Sequence, residues 1–69
     1  MKKIYTMLVM ANEANKLEDI LNKFRISLNE RDSSKIFEIE GVQLVNYTIV
    51  CDEEVFTSIV NIMNGTRVY

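Results

Sequence analysis

The 69-residue sequence contains no histidine, which removes the commonest general base and transition-metal ligand. Its single cysteine, Cys51, falls between the end of a β-patterned run and the start of a helical one. A helix amino end could stabilise a thiolate there. The adjoining Asp52, Glu53 and Glu54 oppose that, and an activated thiol needs an electropositive site, so Cys51 reads as a small residue closing a strand. The three acids do not alternate around an obligatory turn as calcium ligands do. A helix cap followed by two first-turn acids explains them. Glu38 and Glu40 share a strand face and could pair as acid and base, but glutamates on an exposed edge strand that discourage aggregation are far commoner. Neither glycine belongs to a phosphate-cradling loop. No catalytic residue, metal site or cofactor is expected, and the chain is read as not an enzyme.

The elements that would position these groups are clearest over residues 42–65. Val45, Tyr47 and Ile49 alternate with Leu44, Asn46, Thr48 and Val50 until Asp52, a two-residue period that predicts a strand. From Val55 the apolar residues recur at helical spacing through Ile59, Ile62 and Met63, and Asn64 and Gly65 close the helix. The same unit occurs once earlier. Residues 4–11 (IYTMLVMA) predict a strand, and Asn12 with Glu13 can open a helix over residues 13–30. Along it Ala14, Leu17, Ile20, Leu21, Phe24 and Leu28 form one stripe, with Ile26 on the opposite side. Residues 31–34 read as a turn. Residues 35–40 read as a strand, with Phe37 and Ile39 on one side and Ile36, Glu38 and Glu40 on the other. Gly41 then marks a hairpin. A three-residue loop is preferred there, because it gathers Phe37 and Ile39 with Val45, Tyr47 and Ile49; a two-residue loop of Glu40 and Gly41 would reverse that match. Residues 66–69 offer a fourth, terminal strand.

This order, β-α-β-β-α-β, predicts a single α+β domain over residues 1–69: a ferredoxin-like sandwich with a four-stranded antiparallel sheet and both helices on one face. Odd-numbered strand residues, Tyr5, Met7, Val9, Phe37, Ile39, Val45, Tyr47 and Ile49, then face Leu17, Leu21, Phe24, Leu28, Phe56, Ile59 and Met63 of the helices. The other sheet face holds Ile4, Leu8, Met10, Ile36, Leu44 and Val50 among Thr6, Glu38, Asn46 and Thr48. That mixture is too apolar for an ordinary wet face and marks an expected interface. At this length a domain buries a modest share of its surface, and self-association is one way to complete its core.

Composition narrows the partners. A net charge of −2 argues against a phosphate-binding footprint. Tyr5 and Tyr47 occupy strands that carry stacking aromatics in RNA-recognition motifs, but the basic-aromatic motif is missing, and nucleic acid is not an expected partner. No apolar run approaches membrane-spanning length, and the short Lys2-Lys3 start before residues 4–10 reads as strand rather than leader. A lone cysteine favours a reducing, cytoplasmic setting.

The segments YTMLVMAN, KLEDILNKF, NYTIVCDEE and VFTSIVNIM together resemble an ACT-type regulatory domain over most of the chain. That resemblance implies a βαββαβ fold that dimerises through its sheet and senses amino acids or similar metabolites at the loop after the first strand. Asn12 and Asn15 would be the ligand contacts here. The reading drawn from the residues themselves is different in emphasis. It expects a small intracellular protein that regulates or inhibits a larger protein partner, in the manner of small phage-encoded inhibitors, with Ile4, Leu8, Met10, Leu44, Asn46 and Thr48 as contact residues.

Overall fold

The computed structural model describes residues 1–64, without the side chains of Lys35, Ile36 and Phe37. In chain order it contains β1 (Lys2–Met10), α1 (Ala14–Lys23), β2 (Arg31–Ile39), β3 (Val42–Asp52) and α2 (Glu53–Asn64), with short 3-10 turns at Ala11–Glu13 and Leu28–Glu30. The strands form an antiparallel sheet in the order β1-β3-β2. The crossover from β1 through α1 to β2 carries α1 to one side of this sheet, α2 packs on the same side, and the buried cluster joins Leu17, Leu21, Ile59 and Met63 to Val9, Val45, Tyr47 and Ile49. This is the expected ferredoxin-like α+β arrangement; the fourth strand predicted over residues 66–69 lies outside the described residues.

Strand parity follows the expectation on β1 and β3. Val45, Tyr47, Ile49 and Cys51 are buried while Leu44, Asn46, Thr48 and Val50 are half-buried. Tyr5 stacks on Phe56 with ring centroids 4.2 Å apart and planes 6° from parallel, which seats α2 on β1. Glu53 and Glu54 occupy the first turn of α2, where the unsatisfied amides favour negative charge.

The first helix is shorter than its apolar period suggests. It ends at Lys23, Phe24 caps it, and Arg25 turns left-handed at φ 59°. The amide of Arg25 donates to the Asn22 carbonyl at 3.0 Å, and that of Ile26 to the Leu21 carbonyl at 3.0 Å, which together make a Schellman ending. Its apolar contact comes from the residue after the left-handed one. Ile26 is therefore buried rather than outward, whereas Leu28, expected in the core, is 78% exposed. Asn12 lies in the 3-10 turn, and α1 has no side-chain cap. The amide capping expected of it is absent.

β2 likewise departs from expectation. It begins at Arg31, so residues 31–34 are strand and not turn. Arg31 pairs with Ile49 and Ser33 with Tyr47, but Ile36 pairs with Val45. Three steps on β2 thus oppose two on β3, a bulge, and the Ser34 hydroxyl donates to the Asn46 carbonyl at 3.2 Å beside it. The bulge lets β2 approach the hairpin in the other parity. Ile39 pairs with Val42 across a two-residue loop in which Glu40 has φ 50° and Gly41 φ 82°. Positive φ at both loop residues gives the twist that flanking strands require. That fit outweighs the gathering of apolar residues that favoured a three-residue loop. Ile39 consequently stands exposed beside Val42 instead of in the core, and the expected placing of the Ile36 and Phe37 side chains lies outside the described residues.

Candidate interaction face

The six residues expected to make contacts share the sheet face away from the helices. β1 and β3 run antiparallel with Ile4 opposite Val50, Thr6 opposite Thr48, Leu8 opposite Asn46 and Met10 opposite Leu44. Directly opposed residues lie on one face. Both helices pack on the other, so nothing among the described residues covers this one. Ile4 is 72% exposed and Leu8 50%, with Met10 also exposed, while Leu44, Asn46 and Thr48 are half-buried by their strand neighbours. Ile39 and Val42 extend the apolar surface toward the hairpin, an extension hidden from sequence reasoning by the bulge.

Asn12 and Asn15 are not brought together around one cavity. Asn12 lines a shallow depression with Met10, Ala11, Gly41, Val42 and Gln43, where the end of β1 meets the hairpin. Asn15 is exposed in the first turn of α1 and does not line it.

The one thiol is held in an unreactive form. Cys51 is buried, and burial first, then the charge of Asp52, pushes its thiol above the ordinary range; a raised thiol pKa leaves little thiolate. Among the described residues no cluster of histidine, cysteine, aspartate or glutamate is placed to hold a metal ion. Glu38 and Glu40 are both exposed, and Glu40 belongs to the turn rather than the strand.

A polar network between the sheet and α1 escaped the sequence reading. The Tyr47 hydroxyl donates to Glu18 Oε2 at 2.8 Å, Glu18 Oε1 stands 3.6 Å from Arg31 Nη1, and Arg31 Nη2 donates to Asn22 Oδ1 at 2.7 Å. Burial, then the Glu18 hydrogen bond, pushes the Tyr47 phenol up to about 12. A phenol so held stays neutral and acts as a hydrogen-bond donor, tying β3 to α1. The four-residue spacing of Glu18 and Asn22 on one helix was the legible trace of this network. Assigning Arg31 to a turn concealed its third member.

The chain matches no protein-family model, no curated protein and no solved structure. No helix among the described residues is long and apolar enough to cross a membrane.

Proposed function

We propose that this chain is a non-enzymatic binding protein that regulates or inhibits a larger protein through the open face of its sheet. The observation that carries the reading is the exposure of Ile4, Leu8 and Met10 on one continuous face, an arrangement that more often marks an interface than a solvated surface. The chemistry of the remaining groups supports a non-catalytic role: Cys51 is sequestered and Tyr47 is committed to Glu18. A lone, buried cysteine also fits a reducing, cytoplasmic setting. The test is co-precipitation with the wild-type chain and with the double variant Ile4→Glu, Leu44→Glu, both first shown to be folded by circular dichroism. Capture by the wild type and its loss in the double variant supports the reading. Capture that survives both charges removes the face from it.

A second reading is favoured by the depression that Asn12 lines. In it the chain is an ACT-like homodimeric domain that senses a small metabolite at the end of β1. Thermal-shift screening against amino acids and nucleotides tests it, since a ligand that binds the folded state raises apparent stability. A stabilisation abolished by Asn12→Ala would favour this reading over the first.

A further inference from the structure

A cavity of about 150 Å³ opens at the end of the sheet where β1 begins and β3 ends. It lies at the far end of β1 from the depression that Asn12 lines. Phe24, Ile26, Cys51 and Val55 give it an apolar lining, with Ile26 and Cys51 buried and Phe24 and Val55 half-buried. Cavities that take drug-sized ligands run to about 300–1,000 Å³. This one suits a body no larger than a single aliphatic side chain.

Lys2, Arg25, Glu30 and Asp52 also line the cavity, and three of these charges are already engaged. Lys2 pairs with Glu30, and Asp52 accepts the Met1 amine at 3.2 Å. The exposed Arg25 side chain has no partner among the described residues. The cavity is therefore apolar inside and carries one uncompensated cation at its mouth. A guanidinium presents a planar fork of donors that matches a carboxylate.

The backbone of Arg25 points the same way. Its φ of 59° is a conformation that glycine adopts at no steric cost and that glycine most often supplies at a helix end. An arginine here is kept against backbone strain, and residues held in such conformations cluster at ligand clamps. The same turn that brings Arg25 to the mouth buries Ile26 through its bond to the Leu21 carbonyl. One helix ending thus supplies both the cation and part of the apolar lining.

We propose that this cavity binds a small monocarboxylate with a short aliphatic body, the body lying against Phe24, Ile26, Cys51 and Val55 and the carboxylate on the Arg25 guanidinium. A neutral molecule of the same shape gains the apolar contact alone, and an ammonium in its place meets like charge. The site uses none of the contact residues assigned to the open face, and it differs from the Asn12 depression, whose lining carries no charge. For so small a ligand the Kd is on the order of 1 mM.

The test is a titration of the isotope-labelled chain with isovalerate, followed by amide NMR at neutral pH and constant ionic strength. The amides of Ile26, Cys51 and Val55 shift and saturate by about 20 mM. Isoamyl alcohol, which lacks the charge, and acetate, which lacks the body, each bind at least about tenfold more weakly. Arg25→Gln and Arg25→Gly lower isovalerate binding to the level of the alcohol. The glycine variant suits the backbone angle and stays folded, which separates loss of the ligand from loss of the fold. The double variant Ile4→Glu, Leu44→Glu binds isovalerate as the wild type does, so this site and the open face are tested apart. Shifts that do not saturate, an alcohol that binds as tightly as the acid, or Arg25 variants that bind like the wild type each overturn the proposal.

Discussion

The two sides of β3 both carry apolar residues but have opposite fates. Val45, Tyr47, Ile49 and Cys51 are buried beneath the helices, whereas Leu44, Asn46, Thr48 and Val50 alternate with them on a side that no described element covers. The buried side is the more apolar, yet Leu44 and Val50 stand on the other. Both helices pack on the first side, and no described element covers the apolar residues of the other. The largest expected effects measure this contrast. Ile49→Ala and Leu21→Ala empty fully buried positions and should each cost about 2–5 kcal/mol. That is a large share of the stability of so small a domain, so Ile49→Val, at about 0.5–1.5 kcal/mol, gives a measurable fallback. Ile4→Ala and Leu8→Ala should stay within about 0.5 kcal/mol in the monomer. Urea unfolding at low protein concentration reads all of these. Equal costs on the two faces would mean that Ile4 and Leu8 serve folding, and the case for an interface would fail.

Adjacent residues sharpen the contrast. Tyr47→Phe deletes the hydrogen bond to Glu18 and should cost about 0.5–1.5 kcal/mol, while Asn46→Ala, one residue along and on the other face, should leave monomer stability nearly unchanged. The pair also differs in pH response. The Tyr47 phenol is raised from 10.0 to about 12 in the folded chain, so between those values the native state keeps a proton that the unfolded chain releases. Stability from this group is full below the unfolded value and falls as pH rises toward the folded one. Tyr47→Phe should flatten that alkaline decline and Asn46→Ala should not. Urea midpoints from neutral pH to about pH 11, on the approach to the raised value, distinguish them.

The same contrast between faces explains what was legible in the sequence. The strand-to-helix switch from β3 to α2 could be read because a period of two gives way to helical spacing at acids suited to a helix start. The open-face residues of β1 and β3 followed directly from parity. Misreadings gather where one residue changes the backbone sense. Arg25 turns left-handed without glycine to announce it, and the helical stripe was carried on to Leu28, exchanging the places of Ile26 and Leu28. The bulge between Ser33 and Ile36 adds one residue to β2, which moved Ile39 to the open face and made a two-residue turn compatible with both ends of the strand. Neither device leaves a hydrophobic signature. The Tyr47–Glu18–Arg31 network was lost for the same reason, since its third member lies on a part of β2 read as loop. Arg25→Gly tests the first of these points. A left-handed conformation costs a non-glycine residue about 1–2 kcal/mol, and part of the relief is lost to the greater freedom of unfolded glycine. The variant should therefore be more stable by about 0.5–1 kcal/mol, seen as a raised urea midpoint. Destabilisation would show that the Arg25 side chain contributes something beyond its backbone angle.

The smallest expected effect lies at the end of the sheet, where the rim of the open face meets the turn before β2. Glu30 accepts from the Ser27 amide at 3.1 Å and from the Ser27 hydroxyl at 3.1 Å, and the Lys2 ammonium engages its other oxygen. These contacts, Lys2 first and Ser27 next, hold the Glu30 carboxyl below its ordinary range. For a carboxyl lowered by folding, the contribution to stability is present above the unfolded value and is lost as pH falls through the folded one. Glu30→Gln should thus shrink the acid-side loss of stability measured by urea unfolding from neutral to acid pH. The difference between variant and wild type should narrow in high salt, because exposed pairs are screened. Lys2→Met should reproduce the salt response but keep part of the acid dependence, since both Ser27 bonds to the carboxylate remain. If the two variants behave alike, Lys2 alone governs the carboxyl. The strand end would then be fastened by charge and not by the turn, and the rim of the open face would loosen with salt in step with it.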